Sequence, residues 1–223
     1  MKALAQAFER DTGHQLSLAF GATGQFYAQI RNGAPFAVLL SADDETPLKL
    51  EREGLAVAGT RFTYATGRLA LWSRQPGLVD TQGEVLRTGR FDKLAIANPK
   101  LAPYGAAALQ TLQALGLRER VAPKLVEGAN VTQAYQFAAS GNAALAFVAV
   151  AQVFEEGQLR EGSAWVVPSA LHEPLAQDAV LLTGGQHNPA AVALLQYLRT
   201  EHAQAIIRRY GYEVPPPARP RTP

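Results

Sequence analysis

The sequence predicts an α/β protein, in which strands alternate with helices along most of the chain. Short apolar runs of the kind that are buried in sheets recur, for example at residues 36–41 and 144–149. Between them lie segments with apolar residues at helical spacing, and several of these segments end at a glycine. With 223 residues, of which 48% are hydrophobic, the chain has enough material for one large domain or two small ones.

The helices are predicted from their spacing and from the residues at their ends. Residues 1–12 have apolar side chains at helical spacing, and Gly13 is a suitable stop. Thr46 and Pro47 predict another helix start, with Thr46 as the N-cap and Pro47 at the first helical position. The other predicted helices are residues 24–33, 105–115, 131–140 and a last helical region that follows Asn188-Pro189 and breaks before Gly211.

The strands are predicted from alternation or from continuous apolar runs. Residues 16–20 alternate larger apolar side chains with small ones, as a half-buried strand does. The continuous apolar runs at 36–41 and 144–149 predict strands that are covered on both faces. The other predicted strands are residues 68–73, 93–97, 125–126, 165–168 and 178–183.

Composition excludes several classes of function. A net charge of +2 and the lack of a polybasic block argue against a nucleic-acid partner. There is no cysteine, so disulfides, thiolate metal sites and cysteine nucleophiles are excluded. No apolar run reaches the roughly 18–20 residues of a membrane span, and we expect no signal peptide in this chain.

Three predicted helices follow a turn of small or polar residues, at 21–24, 98–105 and 128–131. A helix start exposes unpaired N–H groups and the positive end of the helix dipole, which suits an anion. Candidate donors are Thr23, Tyr104 and Val131, with Gly24, Gly105 and Asn130 in support. Taken singly, Thr23 and Asn130 are better explained as N-caps, and Tyr104 as a packing residue, than as ligands of an anion.

The helix starts themselves carry no Lys or Arg, which predicts a site built from neutral donors. A hydrogen bond to a charged group contributes about 1.5–3 kcal/mol, and a helix terminus about 0.3–1 kcal/mol. Five or six such donors hold a tetrahedral dianion without a counter-charge. Donors alone also reject a protonated phosphate, because its P–OH group finds no acceptor.

Catalytic patterns are weak by comparison. The four histidines are scattered and lack metal-ligand spacing, and the acidic residues 43–45 are typical of a solvated turn. No serine stands in a nucleophile-elbow motif. We therefore expect neither an enzyme nor a cofactor.

Several segments resemble one family, the solute-binding components of molybdate ABC transporters. The resemblance is carried by FGATGQFYAQI at 20–30, NGAPFAVLLSAD at 32–43, LAIANPKLAPYG at 94–105 and VEGANVTQAY at 126–135. Residues 203–212 look like the family's closing helix, so that the similarity extends to about residue 214.

The resemblance implies a two-lobed periplasmic-binding-protein-like fold, each lobe a mostly parallel sheet flanked by helices. Residues 1–66 and 178–223 would form the first lobe, with a Pro-rich tail from 215, and residues 67–177 the second. It implies that Thr23 donates a hydroxyl, and Tyr104 and Val131 their main-chain N–H groups, to molybdate or tungstate. Molybdenum would be bound only as this oxyanion. The expected setting is a monomer, periplasmic or extracytoplasmic, whose partner is a membrane permease.

Two departures from the family qualify this. The chain begins after the family's first strand, so we expect an exposed sheet edge, lower stability and weaker anion binding than with that strand restored. Ala149 stands where some members have a tyrosine hydroxyl, a role that Tyr104 would share. The alternatives are another oxyanion such as sulfate or thiosulfate, or an anion-sensing domain of a regulator.

Overall fold

The computed structural model describes residues 1–215. Its helices are α1 Lys2–Thr12, α2 Thr23–Arg31, α3 Glu45–Arg52, α4 Glu84–Thr88, α5 Pro103–Ala114, α6 Arg118–Val121, α7 Val131–Ala139, α8 Val150–Val153, α9 Pro189–Tyr197 and α10 Glu201–Arg209. Its strands are β1 Val38–Leu40, β2 Phe62–Gly67, β3 Leu69–Ser73, β4 Leu94–Ala97, β5 Leu125–Gly128, β6 Leu145–Ala149, β7 Phe154–Glu155, β8 Gln158–Leu159, β9 Ser163–Val166 and β10 Leu175–Leu181. The predicted Pro-rich tail lies, beyond residue 215, outside the described residues.

Two sheets organise the molecule, and they confirm the α/β class. The large sheet has the strand order β5-β4-β6-β3-β9, with β4 parallel to β5 and β6, and with β3 antiparallel to β6 and β9. The small sheet has the order β1-β10-β2. Both of its pairs are antiparallel, because β10 enters between β1 and β2 from the opposite direction. The parallel pairing expected in both lobes is thus confined to the large sheet.

The chain crosses between the sheets twice. On the way out, β2 of the small sheet and β3 of the large sheet are separated by Arg68 alone. On the return, the chain leaves the large sheet after β9 and enters the small sheet as β10. The division into lobes at 66/67 and 177/178 stays a prediction, and its second boundary falls inside β10.

Each sheet is covered on both faces, which explains its apolar runs. In β3, Leu69 and Leu71 point into one core of the large sheet, while Ala70 and Trp72 point into the other. In the small sheet, Ala179 packs with the residues of α1, α9 and α10, whereas Val180 packs with those of α2 and α3. The carboxyl end of β1 leads into the loop before α3, and that of β4 leads into the loop before α5.

Two predictions of local structure are wrong. Residues 16–20 form no strand, since no other strand pairs with their main chain; Leu18 is 36% exposed and Phe20 60%. Thr46 is not an N-cap, because α3 already begins at Glu45. The Asp43 carboxylate instead accepts a hydrogen bond from the Thr46 N–H at 2.8 Å.

Candidate anion-binding site

Thr23 begins α2, as the turn at 21–24 predicts, and its side chain is buried. Its Oγ1 accepts a hydrogen bond from the Ala42 N–H at 3.2 Å and lies 3.4 Å from the Ser41 Oγ. Because the oxygen accepts from Ala42, the hydroxyl proton remains available to a further acceptor. No hydrogen bond within the described chain involves the main-chain N–H of Thr23.

Ser41 is a candidate that the sequence patterns did not single out. It is buried, directly follows β1, and its hydroxyl contacts both Thr23 and Asp43. The available signal was its position after a buried strand, where polar groups of α/β proteins commonly meet a ligand. Burial raises the pKa of the neighbouring Asp43 carboxyl, and hydrogen bonds from Thr46 and Ser41 partly oppose this.

Gly24, expected as a supporting donor, is engaged elsewhere. Its N–H donates to the Leu101 carbonyl at 2.9 Å, which joins α2 to the loop before α5. A Cβ at Gly24 would lie 3.1 Å from the Leu101 Cα, so the contact depends on a small residue. In this arrangement the Gly24 amide holds the two halves together and is not available to an anion.

The second helix start is built from Pro103, Tyr104 and Gly105. Pro103 has no N–H, and the Gly105 N–H donates to the Ala102 carbonyl at 2.9 Å. The Tyr104 N–H, between them, has no hydrogen-bond partner among residues 1–215. Gly105 allows this start to pack on β4, because a Cβ there would overlap the Ala97 carbonyl. Lys100 belongs to the same loop, but its side chain is exposed.

The third helix start confirms the predicted Asn130 cap. The Asn130 side chain accepts a hydrogen bond from the Gln133 N–H at 3.0 Å. Within the described residues, the Val131 N–H has no hydrogen-bond partner. The Asn98 N–H donates to the Gly128 carbonyl at 2.7 Å, which ties this turn to the loop before α5.

The structure brings these segments together from both halves of the molecule. Ala22, Ala97 and Ala102 form one apolar cluster, and Val131 packs against it. Ala42, next to Ser41, packs against the large core that contains Tyr104. Three helix starts and the loop after β1 therefore meet, although the roles of Thr23, Tyr104 and Val131 as anion ligands stay predictions.

The Tyr104 side chain lies against the end of β2, where the chain passes from the small sheet to the large sheet. Its hydroxyl lies against Gly67 and near the Gln177 amide. Burial raises the pKa of Tyr104 well above its usual value, and the phenols of Tyr212 and Tyr64 add to the effect. The hydroxyl is therefore neutral at any physiological pH.

Within residues 1–215, no group of three or more His, Asp or Glu side chains is arranged to hold a metal ion. Within the same range, no helix combines the length and the apolar character needed to cross a bilayer.

Comparison with known proteins identifies close relatives. Residues 1–213 match a family model described as "Bacterial extracellular solute-binding protein". The molybdate-binding protein ModA of Azotobacter vinelandii is 59% identical over 212 residues, which cover 95% of this chain and 84% of the relative. ModA of Rhodobacter capsulatus is 52% identical, with 95% and 82% of the two chains covered.

Solved structures of molybdate-binding proteins and related domains also resemble this chain. A periplasmic molybdate-binding protein of Azotobacter vinelandii superimposes with a TM-score of 0.93 at 42% identity, covering 96% of this chain and 94% of that one. The substrate-binding domain of a putative molybdenum transporter from Clostridium difficile has a TM-score of 0.68 at 23% identity, with 97% and 93% covered, and shares the fold.

Proposed function

The chain belongs to the family of bacterial extracellular solute-binding proteins, and we propose that it captures molybdate between its two halves and delivers it to the permease of an ABC transporter. Relatives at 59% and 52% identity that are named molybdate-binding proteins support this ligand. The observation that supports the proposal most is that the three helix starts pack together through Ala22, Ala97, Ala102 and Val131, and that the N–H groups of Thr23, Tyr104 and Val131 have no hydrogen-bond partner among residues 1–215. Tungstate, which has the same charge and nearly the same size, is the second ligand.

The chemistry of the donors suits a fully ionised oxyanion. The Thr23 hydroxyl and the N–H groups of Thr23, Tyr104 and Val131 are the proposed donors to the anion, and the Ser41 hydroxyl supports Thr23 by donating to its oxygen. Each hydrogen bond to a charged acceptor contributes about 1.5–3 kcal/mol. The helix dipoles add a positive potential at each helix start, so the anion can be held without a cationic side chain.

Binding is expected to operate by closure of two lobes, residues 1–66 with 178–223 and residues 67–177. A ligand that contacts both lobes favours the closed state because it binds that state more tightly than the open one. The Gly24–Leu101 hydrogen bond supports such a closed arrangement, since it joins α2 to the loop before α5.

The proposal also covers the kind of protein this is and the compartment in which it acts. We infer a monomeric binding protein without catalytic activity, resident cofactor or nucleic-acid partner, acting in the periplasm or outside the cytoplasm. The extracellular family and the periplasmic relative support this setting.

A titration panel tests the ligand. Calorimetry with molybdate, tungstate, sulfate and phosphate is expected to give tight binding for the first two and weak or no binding for phosphate. Thr23→Val keeps the size of the side chain and removes its hydroxyl, so we expect molybdate affinity to fall about 10- to 100-fold. Thr81→Val, at an exposed threonine, is the matched control. Binding of phosphate but not of molybdate would refute the proposed ligand.

A further inference from the structure

Anion binding through main-chain groups gives the Tyr104 hydroxyl no role. The residue is only 6% exposed. Within residues 1–215, its hydroxyl is the only buried side-chain polar atom without a hydrogen bond of standard geometry, and the Tyr212 hydroxyl is the polar group that approaches it. Buried hydroxyl groups are normally paired, so this exception calls for a physical reason.

The hydroxyl lies at the point where the chain crosses between the sheets. Gly67 is the last residue of β2, and a Cβ there would overlap the Tyr104 hydroxyl oxygen and lie 3.1 Å from the Tyr104 Cζ. The same Cβ would lie 2.9 Å from the Gln177 Nε2, which donates to the Leu175 carbonyl at 3.0 Å. Gly67 pairs with Leu175. The Tyr104 phenol therefore lies against the end of β2, and Leu175 of the paired strand β10 belongs to the same core cluster.

Glycine is needed at this position for space and not for backbone geometry. Gly67 is not among the residues with positive φ, so alanine would fit its backbone conformation. The neighbouring ladder is irregular, with a shift of register between Gln177 and Asp178. A local irregularity in a crossing strand is compatible with bending there.

We propose that Tyr104 is a positioning residue that, by filling the space beside Gly67 at the boundary between the two lobes, sets how far the lobes close over the anion. The proposal rests on the proposed function, because the main-chain N–H of Tyr104 is one of its anion donors. The ring acts as a spacer between α5 and Gly67, so the same residue carries the donor and fixes the distance of its helix from the crossing strands.

Gly67→Ala tests the spacer, because the added methyl group occupies the place of the hydroxyl. We expect the dissociation constant for molybdate to rise at least about tenfold, since the closed state is disfavoured. Tyr104→Phe removes the oxygen that the methyl group meets. The double variant G67A/Y104F should therefore recover an affinity within about threefold of the original chain.

Two further variants complete the set. Gly184→Ala is the matched control, because its backbone is unstrained and the nearest atom to its Cβ is the Phe36 carbonyl oxygen at 3.6 Å. Tyr104→Phe alone shortens the spacer and removes an unpaired hydroxyl, so we expect an affinity about threefold tighter. A loss of tenfold or more in Y104F would mean that the hydroxyl itself contacts the anion, and would overturn the proposal.

Unchanged affinity in Gly67→Ala, or no recovery in the double variant, would also overturn it. If Gly67→Ala fails to fold, as thermal unfolding would reveal, the direction of the change in affinity of Y104F decides whether Tyr104 is a spacer.

Small-angle X-ray scattering of the anion-free proteins tests the spacer separately from the proposed function. Even if the original chain binds no anion, Gly67→Ala should have a larger radius of gyration that the double variant reverses; equal radii would reject the spacer.

Discussion

At the scale of the residue, close approach between segments depends on the absence of side chains. Gly105 lets the start of α5 rest on the Ala97 carbonyl, and Gly24 lets α2 reach the Leu101 carbonyl. Neither glycine has a positive φ, so their role is steric. Both contacts lie beside the unpaired N–H groups, which makes the geometry of the site sensitive to a single methyl group.

Gly24→Ala is expected to weaken molybdate binding by about tenfold, because the methyl group crowds Leu101 and weakens the hydrogen bond between the two halves. The thermal stability of the anion-free protein should change little, since the contact involves no core side chain. Calorimetry and thermal unfolding measure the two effects, with Gly184→Ala as the control. An affinity equal to that of the original chain would show that closure does not need this contact.

Local sequence signals predicted some of these residues and missed others. Asn130 has the residue type and spacing of an N-cap, and the structure confirms that cap. Ser41 and Asp43 were missed as partners of Thr23 and Thr46, because their contacts depend on how the loop after β1 folds. Gly24 was assigned a donor role that its contact with Leu101 excludes here, and that contact joins residues 77 positions apart in the chain.

At the scale of the element, the small sheet has an open edge. The outer side of β1 has no strand partner among the described residues. A groove of about 630 Å³ lies beside it, lined by β1 and by residues 15–21, and includes the exposed side chains of Leu18 and Phe20. Unpaired edges with apolar neighbours are unfavourable in water.

An extended apolar strand fused ahead of Met1 is expected to occupy this groove and pair with β1. We expect the free energy of unfolding to rise by at least about 2 kcal/mol, from burial of apolar surface and new main-chain hydrogen bonds. Molybdate affinity should rise as well. Chemical denaturation and calorimetry measure both quantities, and a fused Gly/Ser segment of the same length is the control. Equal stability and affinity in the two fusions would contradict this reading of the edge.

Residues 16–20, like the outer side of β1, have no neighbouring strand to pair with among the described residues, so the predicted strand does not form. Its alternation is that of a strand, yet a strand also requires a partner for its main chain. Periodicity reports which side chains are apolar and does not report whether a neighbour is present. Helix α1 was predicted correctly because its hydrogen bonds are internal, and Gly13 ends it with a φ of 74°.

At the scale of the whole molecule, the alternation of strands and helices predicted the α/β class. It could not predict which strands pair in parallel and which pair antiparallel. The small sheet is antiparallel because β10 returns from the large sheet between β1 and β2. That path depends on contacts between residues more than a hundred positions apart, such as Thr63 with Asp178. The packing of the three helix starts against one another is likewise a property of the fold: local patterns predicted each start as a donor, and the resemblance to a family implied how they come together.

The most direct test is the crystal structure of this chain with tungstate, phased or mapped at the tungsten absorption edge. The account predicts one strong anomalous peak enclosed by the Thr23 hydroxyl and the main-chain N–H groups of Tyr104 and Val131, each within hydrogen-bond distance of a tungstate oxygen. A peak bound elsewhere, or coordinated by lysine or arginine side chains, would contradict it.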